Sequence, residues 1–350
     1  MPAKYIMSHN YAYVSNPGGV ADVAQNLSVA FKNNLAGFHE VFPSESRSKA
    51  RTFHRFASEI TLELRHWRKD VVLIFPNYFA FPLPGSSTRD IVVVHDLQYK
   101  SFPQFHSLPK RLLLEASHRL ARRRAAGIVF ISKATEGDFD RFFGLPRKHR
   151  VILNPVAVRD LGAIDARLTK AIGSSPYAIA NFHHYPHKNI EKVLSFFRQM
   201  RLQYPELKLV LTGRHSQIGL LLRQYGLDDD SVVVSGFLPK NMVLQLVANA
   251  AFFVSLSLFE GFNMAAAEAA KLGRPLLLSN ITVHRELFDD FAFFVDPHIA
   301  EFPLSSFNEY LREHRSKGYW KFSDATEPEA VAARYADFFD EVLAEPENRA

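Results

Sequence analysis

Two glutamates, Glu260 and Glu268, stand eight positions apart in a segment that also specifies a helix. Asn263 is a good N-cap, and strong helix formers continue from Met264 as far as Gly273, which suits a C-terminal stop. Because three alanines follow Met264, the first turn leaves backbone N–H groups open to an anion. Carboxylates accept hydrogen bonds from sugar hydroxyls. The segment indicates a phosphate and hydroxyl site; the alternative is an amphipathic helix with two surface glutamates.

Other residues suited to an anionic ligand follow short apolar runs. Lys188 lies in a loop after a predicted strand, where its compact charge can meet a phosphate, although a solvated surface lysine is the alternative. Gly18 and Gly19 follow the first strand, and glycines let backbone N–H groups approach a phosphate closely. His95 ends an apolar strand. It is either a buried structural imidazole or a substrate-facing group, and its position at the strand's carboxyl end favours the second.

Several kinds of chemistry lack support in the sequence. The chain has no cysteine, which excludes disulfides, thiolate zinc sites and cysteine nucleophiles. It contains neither G-x-G-x-x-G nor a Walker lysine motif. His183, His184 and His187 cluster without a carboxylate or cysteine at ligand spacing, and Asp228-Asp-Asp230 reads as a turn, so we expect no metal site.

The elements that would position these residues alternate between short apolar strands and longer helical patterns, as in βαβ units. The alternation predicts an α/β chain of two doubly wound Rossmann-like domains with about five strands each. The predicted strands of the first half are Tyr5–Ser8, Val71–Pro76, Ile91–His95, Gly127–Ser132 and Val151–Asn154. Those of the second half are Ala178–Asn181, Leu207–Gly213, Val232–Gly236, Ala251–Ser255 and Pro275–Ser279.

Turn signals near residues 154–175 mark the domain boundary. We therefore expect an N-terminal, acceptor-side domain over residues 1–160 and a nucleotide-sugar-binding domain over 161–322. Residues 323–350 contain a helical apolar pattern and should cross back to the N-terminal domain.

The 350 residues carry a net charge of +6, which favours anionic partners. No apolar run is long enough for a membrane span, and the start lacks a signal h-region, so we expect a cytoplasmic protein. Residues 109–126 are rich in Lys and Arg and contain Leu112, Leu113, Leu114 and Leu120. We interpret them as a core-facing helix with a solvated basic side; peripheral docking on the anionic inner face of the membrane is the alternative.

The segment Glu260-Gly-Phe-Asn-Met-Ala-Ala-Ala-Glu268 resembles the E-x7-E signature of retaining family 4 glycosyltransferases. The likeness extends through both halves of the chain. The other segments that carry it are Pro17-Gly18-Gly19-Val20, Val94-His95-Asp96-Leu97, Tyr185-Pro-His-Lys188-Asn189, Val232–Pro239, Asn249–Ser257, Gly273–Ser279 and His284-Arg-Glu286. Asn263, Ala265 and Ala266 replace the signature's usual glycine and proline, and His183 stands where arginine or threonine is common.

This resemblance implies a GT-B fold, in which two Rossmann-like domains face a central cleft that holds a nucleoside diphosphate sugar. Its implied catalytic residues are His95, near the transferred sugar or the acceptor, Lys188, at the leaving diphosphate, and Glu260, on sugar hydroxyls. Its implied donor-binding residues are Gly18, Gly19, Leu238, Asn263, Met264 and Glu268, with Glu268 on the ribose diol.

The activity implied is that of a metal-independent, retaining hexosyltransferase of the mannosyltransferase-like kind. It needs no cofactor besides its donor substrate, for which GDP-mannose is favoured and a UDP-sugar is the alternative. The acceptor would be a glycan or lipid-linked glycan in the synthesis of cell-surface polysaccharide or lipopolysaccharide. Two other hypotheses stay open, a sugar-nucleotide epimerase or hydrolase of the same fold and a basic nucleic-acid-binding protein, but no RNA-reader motif supports the latter.

Overall fold

A computed structural model of the protein describes residues 4–8, 19–41, 51–67, 71–76, 80, 82–83, 88–183, 185–227, 229–314 and 319–344, without the side chains of 51–56. The chain divides into two compact units. Unit 1 comprises Met1–Val156 together with Asp324–Ala350, and unit 2 comprises Ala157–Ser323.

Unit 1 is built on a parallel sheet of six strands in the order β2-β1-β3-β4-β5-β6. The strands are β1 (Tyr5–Ser8), β2 (Phe38–Val41), β3 (Val72–Phe75), β4 (Arg89–Val94), β5 (Gly127–Phe130) and β6 (His149–Val151). The helices are α1 (Gly19–Asn34), α2 (Arg51–His66), α3 (Gln98–Ser101), α4 (Leu108–Arg124), α5 (Lys133–Phe143) and, from the end of the chain, α13 (Pro328–Leu343). The central strands are continuous apolar runs because helices cover both faces of such a sheet.

Unit 2 has a second parallel sheet of six strands, in the order β12-β11-β10-β7-β8-β9. The strands are β7 (Tyr177–His183), β8 (Lys208–Arg214), β9 (Val232–Gly236), β10 (Phe252–Ser255), β11 (Leu276–Ser279) and β12 (Phe293–Val295). The helices are α6 (Ala166–Ile172), α7 (Ile190–Gln203), α8 (Ile218–Gln224), α9 (Lys240–Asn249), α10 (Met264–Lys271), α11 (Thr282–Phe288) and α12 (Leu304–Glu313). Counted from β7, the order is that of a dinucleotide-binding Rossmann sheet.

The prediction of two doubly wound Rossmann-like domains is confirmed, and each of the ten predicted strands overlaps an observed one. The expectation of about five strands per domain was one short in each sheet. The strands missed, β2 and β12, are both at a sheet edge. Each is short and largely half-buried; β2 is interrupted by His39 and Glu40, whereas β12 is apolar but only three residues long.

The last helix, α13, completes the core of unit 1. The ring of Tyr335 in α13 packs edge-on against Phe31 of α1, with the ring centroids 5.1 Å apart. The ring of Phe339 stacks on Tyr5 of β1, with the centroids 5.3 Å apart. All of these rings are buried. The first sheet is therefore closed by a helix that lies more than 170 residues beyond its last strand.

The basic helix α4 packs on the core, as expected, but not through all of its leucines. Its buried residues are Leu114, Ser117, His118 and Ala121. Leu112, which we placed on the apolar face, is 61% exposed. The run of three leucines spans most of a helical turn, so only part of it can point inward. Within the described part of the chain, no helix combines the length and apolarity that crossing a membrane requires.

Candidate functional site

Strands β7 and β10 are neighbours in the sheet of unit 2, yet their chain connections leave in opposite directions. Ligands of such sheets bind outside the carboxyl ends of the strands at this topological switch point. The loop after β7 carries Lys188, and the loop after β10 carries Glu260 and Asn263. The fold thus brings together three of the residues selected from sequence.

The loop after β7 is held to the loop after β10 by polar contacts. Lys188 ends a single 3₁₀ turn, Pro186–Lys188, and Asn189 adopts a left-handed conformation with φ of 53°. The Asn189 side chain donates from Nδ2 to the carbonyl oxygens of Leu256 and Pro297, each at 3.0 Å. These bonds fix the backbone that carries Lys188 against the neighbouring loop.

Lys188 and Glu260 form an ion pair, with Nζ and Oε1 2.7 Å apart. Ser257 donates from Oγ to the same carboxylate oxygen at 2.7 Å. Burial alone would raise the pKa of Glu260, but the Lys188 charge and the two hydrogen bonds outweigh it and hold the pKa below its usual value. The Lys188 side chain is 31% exposed and that of Glu260 10%, so the cation is the partner more open to a ligand.

Helix α10 begins next to this pair, at Asn263. The backbone of Asn263 is left-handed, with φ and ψ both 70°, and its Oδ1 accepts a hydrogen bond from the Ala266 amide at 3.2 Å. The first N–H groups of a helix have no partner within the helix. Asn263 satisfies the one at Ala266, which leaves those of Met264 and Ala265 at the helix start for an anion.

Asn263 is anchored from behind by His284, a fully buried residue of α11. Asn263 Nδ2 lies 2.8 Å from His284 Nε2, and His284 Nδ1 lies 2.9 Å from the carbonyl oxygen of Ser279. Because a carbonyl only accepts, Nδ1 carries the proton and Nε2 accepts from Asn263. Burial lowers the pKa of His284 to about 4, against the opposing effects of Glu260 and of the bond to Ser279. The imidazole is therefore neutral at pH 7.

Glu268 lies inside α10 and is paired with a lysine of the neighbouring helix. Its side chain is only 3% exposed, and its Oε1 lies 2.5 Å from Nζ of Lys240, the first residue of α9. A buried carboxylate needs such a cation to stay ionised. The pair keeps an anionic hydrogen-bond acceptor inside the unit.

Leu238 follows β9, two strands away from β7 in the sheet. It is half-buried, and its neighbour Phe237 is exposed. The guanidinium of Arg214, at the end of β8, lies 5.5 Å from the centre of the Phe237 ring. Apolar and aromatic side chains therefore line the carboxyl edge on this side of unit 2.

The remaining predicted site residues belong to unit 1. Gly19 starts α1 and is exposed, whereas Gly18 lies outside the described residues. His95 follows β4 and is buried, and its Nε2 lies 3.1 Å from the carbonyl oxygen of Pro76. Burial lowers the pKa of His95 although the bond to Pro76 and the charge of Asp96 oppose the shift. This geometry suits a structural imidazole, and a role at the substrate stays a prediction.

Comparison with known protein families adds an independent finding for unit 2. Residues 175–315 match the family described as glycosyl transferases group 1. The matched segment lies within unit 2. Lys188, Leu238, Glu260, Asn263 and Glu268 all fall within it.

One curated relative of the chain is the O-antigen chain mannosyltransferase B of Escherichia coli. The two are 24% identical over 240 residues, which is 66% of this chain. The match spans 62% of the relative's length. The resemblance inferred from the E-x7-E segment is thus confirmed as a likeness to mannosyltransferase-type enzymes.

Solved structures similar to the whole chain show its fold. Sucrose-phosphate synthase from Thermosynechococcus elongatus matches with a TM-score of 0.76 at 16% identity, covering 97% of this chain and 99% of that one. Anabaena HepE in complex with UDP and glucose matches with a TM-score of 0.69 at 14% identity, covering 97% and 100%. WaaG, a glycosyltransferase involved in lipopolysaccharide biosynthesis, matches with a TM-score of 0.62 at 15% identity, covering 95% of each chain. The predicted GT-B class is confirmed.

Three residues of the segment 175–315 that the sequence analysis did not name as site residues now have clear contacts: Ser257, Lys240 and His284. Ser257 has a weak sequence signal, because it is a small polar residue just past the end of a buried strand. Lys240 gives none that separates it from a surface lysine. His284 opens the segment His284-Arg-Glu286 that resembles the family, but nothing in that segment indicates its contact with Asn263. The importance of Lys240 and His284 depends on partners 28 and 21 positions away in the chain.

Two of the histidines near Lys188, His183 and His187, pack against Tyr185. The rings of His183 and Tyr185 stack at a centroid distance of 4.4 Å, and Tyr185 stacks on His187 at 5.6 Å. His184, between them, lies outside the described residues. The described part of this segment is an aromatic stack that leads into the Lys188 turn.

Proposed function

We propose that the protein is a retaining glycosyltransferase that transfers a hexose, with mannose favoured, from a nucleoside diphosphate sugar to a hydroxyl of a glycan or lipid-linked glycan. The proposal rests on the Lys188–Glu260 pair, 2.7 Å across, at the switch point of the sheet within the segment that matches glycosyl transferases group 1. A cation and a hydroxyl acceptor are thereby placed side by side where such a sheet binds its ligand.

The chemical barrier is the separation of charge as the diphosphate leaves an oxocarbenium-like sugar. A site lowers this barrier when its positive groups are already oriented toward the leaving oxygens. Lys188 and the amides of Met264 and Ala265 supply such groups, since Lys188 is fixed by its turn and the amides by the Asn263 cap.

Glu260 orients hydroxyls of the transferred sugar in this mechanism and does not attack the sugar. Its Oε1 already accepts from Lys188 and Ser257, which weakens it as a nucleophile but suits an acceptor of hydroxyl hydrogen bonds. Retention then follows from departure and attack on one face. The bond from the anomeric carbon to the diphosphate breaks, the bond to the acceptor oxygen forms, and the acceptor proton passes to a phosphate oxygen of the leaving group.

Glu268 receives the ribose diol of the donor. The ammonium group of Lys240 beside it favours the carboxylate form, and a carboxylate can accept from two hydroxyls at once. For the donor base we favour guanine, with uracil as the alternative, and we propose that no metal ion is required. The mannosyltransferase name of the Escherichia coli relative supports mannose and the synthesis of cell-surface polysaccharide or lipopolysaccharide.

A thermal-shift screen against GDP, UDP and their sugar conjugates tests donor binding, because a ligand that binds only the folded state raises its stability. We expect the largest shift with GDP-mannose, unchanged by EDTA. Incubation of the best donor with a glycan acceptor should then give a product with the same anomeric configuration as the donor, as measured by NMR. Inversion would contradict the mechanism, and epimerised or hydrolysed donor without transfer would contradict the proposed activity.

A further inference from the structure

The network behind Asn263 contains a residue whose importance goes beyond packing. Among the described residues, Asn263 is one of only three non-glycine residues with a positive φ angle. The left-handed conformation strains residues with a Cβ, whereas glycine adopts it freely and asparagine tolerates it best of the others. An asparagine here implies a use for its side chain.

Every hydrogen-bonding atom of that side chain has a partner. Oδ1 accepts from the Ala266 amide, and Nδ2 donates to His284 at 2.8 Å and to Ser255 Oγ at 3.0 Å. The amide is consequently fixed in one orientation. The hydrogen bond from Asn263 Nδ2 to His284 requires Nε2 to be an acceptor. Only the neutral imidazole with its proton on Nδ1 provides that acceptor.

The same histidine is tied to the loop that holds Glu260. Ser279, whose carbonyl accepts from His284 Nδ1, donates from its own Oγ to the carbonyl oxygen of Ser257 at 2.5 Å. Ser257 in turn donates to Glu260. His284 therefore holds both ends of the loop from Ser257 to Asn263, through Ser279 at the start and through the asparagine at the end.

We infer that His284 is a positioning residue for sugar transfer, which sets the geometry of Glu260 and of the α10 start by fixing Asn263. This inference rests on the proposed function and deepens it. It assigns a role to a residue of α11 that contacts neither Lys188 nor Glu260 through a hydrogen bond of its own. Its burial and the lowered pKa agree with a group that must stay neutral.

Three variants separate positioning from packing. His284→Phe keeps a ring but leaves the Asn263 amide without its acceptor, so kcat/KM should fall on the order of tenfold or more, mainly in kcat. His284→Gln can offer Oε1 to Asn263 in place of Nε2 and should retain kcat within about twofold of wild type. Asn263→Gly keeps the left-handed backbone without the side chain, and should lose about as much kcat as His284→Phe.

The double variant Asn263→Gly/His284→Phe should lose little more than either single one, because both remove the same interaction. His118→Phe is the matched control, since His118 is a buried histidine of unit 1 whose pKa burial also lowers to about 4. It should lower the melting temperature and leave kcat and donor KM unchanged.

Equal kcat in wild type and His284→Phe would overturn the inference, as would equal losses in His284→Phe and His284→Gln. If His284→Phe does not fold, Asn263→Gly and His284→Gln decide the matter, because the first should lose activity and the second retain it. Failure of the wild type to bind GDP, UDP or their sugar conjugates would overturn the proposed function together with this inference. If the wild type binds the donor and transfers sugar, and the His284 and Asn263 variants have the same kcat as the wild type, only the inference about His284 is overturned.

Discussion

Units 1 and 2 are both parallel six-stranded sheets between helices, yet the described residues at their carboxyl edges make different contacts. Among the described residues of that edge, unit 2 carries the ion pairs Lys188–Glu260 and Lys240–Glu268. The described edge of unit 1 instead carries His95, buried against a backbone carbonyl. The same architecture therefore carries lysine–glutamate ion pairs at the edge of one unit and a histidine packed against a backbone carbonyl at the described edge of the other. Fold alone does not assign chemistry to a sheet edge.

The largest expected effect breaks the charged edge of unit 2. Lys188→Ala should lower kcat for sugar transfer about 10²- to 10³-fold with a smaller change in donor KM, because the ammonium acts most strongly on the charge that develops on the leaving group. Steady-state kinetics with the best donor would measure this. Lys192→Ala is the control, since Lys192 lies in the first turn of α7 and donates to the carbonyl of Ile299. Near-normal turnover in the Lys188 variant would refute the electrostatic mechanism.

The next effect concerns two buried histidines, His118 in unit 1 and His284 in unit 2. Burial is the main cause that lowers the pKa of each to about 4. Above pH 6.5 both histidines are neutral in the folded and in the unfolded state, so they do not reduce the unfolding free energy. Between pH 6.5 and 4 the unfolded chain takes up the proton first. Each site should then lose on the order of 3 kcal/mol of unfolding free energy.

Urea unfolding at pH 7.5, 6 and 5 measures this loss. His118→Phe and His284→Phe should each flatten the pH dependence. A pH dependence identical to that of the wild type in either variant would show that the histidine in question titrates normally.

A smaller effect sharpens the distinction within unit 2. Glu268→Ala should raise the donor KM by about tenfold or more, with kcat less affected, because the ribose bonds are present in the ground state as well as in the transition state. Comparison of donor KM with that of Lys240→Ala isolates the carboxylate from its partner. An unchanged donor KM in Glu268→Ala would show that Glu268 does not bind the ribose.

The smallest effect compares the two helix caps. Ser132 caps α5 in unit 1 by accepting from the Thr135 amide at 3.1 Å, as Asn263 caps α10 in unit 2. Ser132→Ala should cost about 1 kcal/mol of stability and leave donor KM unchanged. Thermal unfolding and kinetics on the same preparation would test this. A change in donor KM would show that the edge of unit 1 also takes part in donor binding.

Much of unit 2 was predictable because its signals are local. The apolar run before Ser255, the cap at Asn263 and the stop at Gly273 each act within a few residues, so strand β10 and helix α10 follow directly from sequence. The rule that carboxyl ends of adjacent parallel strands meet at one edge also places Lys188 near Glu260. These predictions needed no knowledge of distant contacts.

The rest depends on contacts that sequence spacing does not encode. Nothing near Lys240 indicates that it meets Glu268, and nothing near His284 indicates an asparagine 21 positions earlier. Leu112 shows the opposite error, since an apolar residue on a helix was assigned to the core and lies exposed. Helix periodicity states which residues share a face and leaves open which face is covered.

The position of α13 also has a consequence for synthesis of the chain. Unit 2 is one continuous stretch, whereas unit 1 needs Tyr335 and Phe339 to cover Phe31 and Tyr5. The half that emerges first therefore completes its core only after the whole of unit 2 has been synthesised. Until translation reaches α13, the rings of Tyr5 and Phe31 lack their native cover and are open to chaperones.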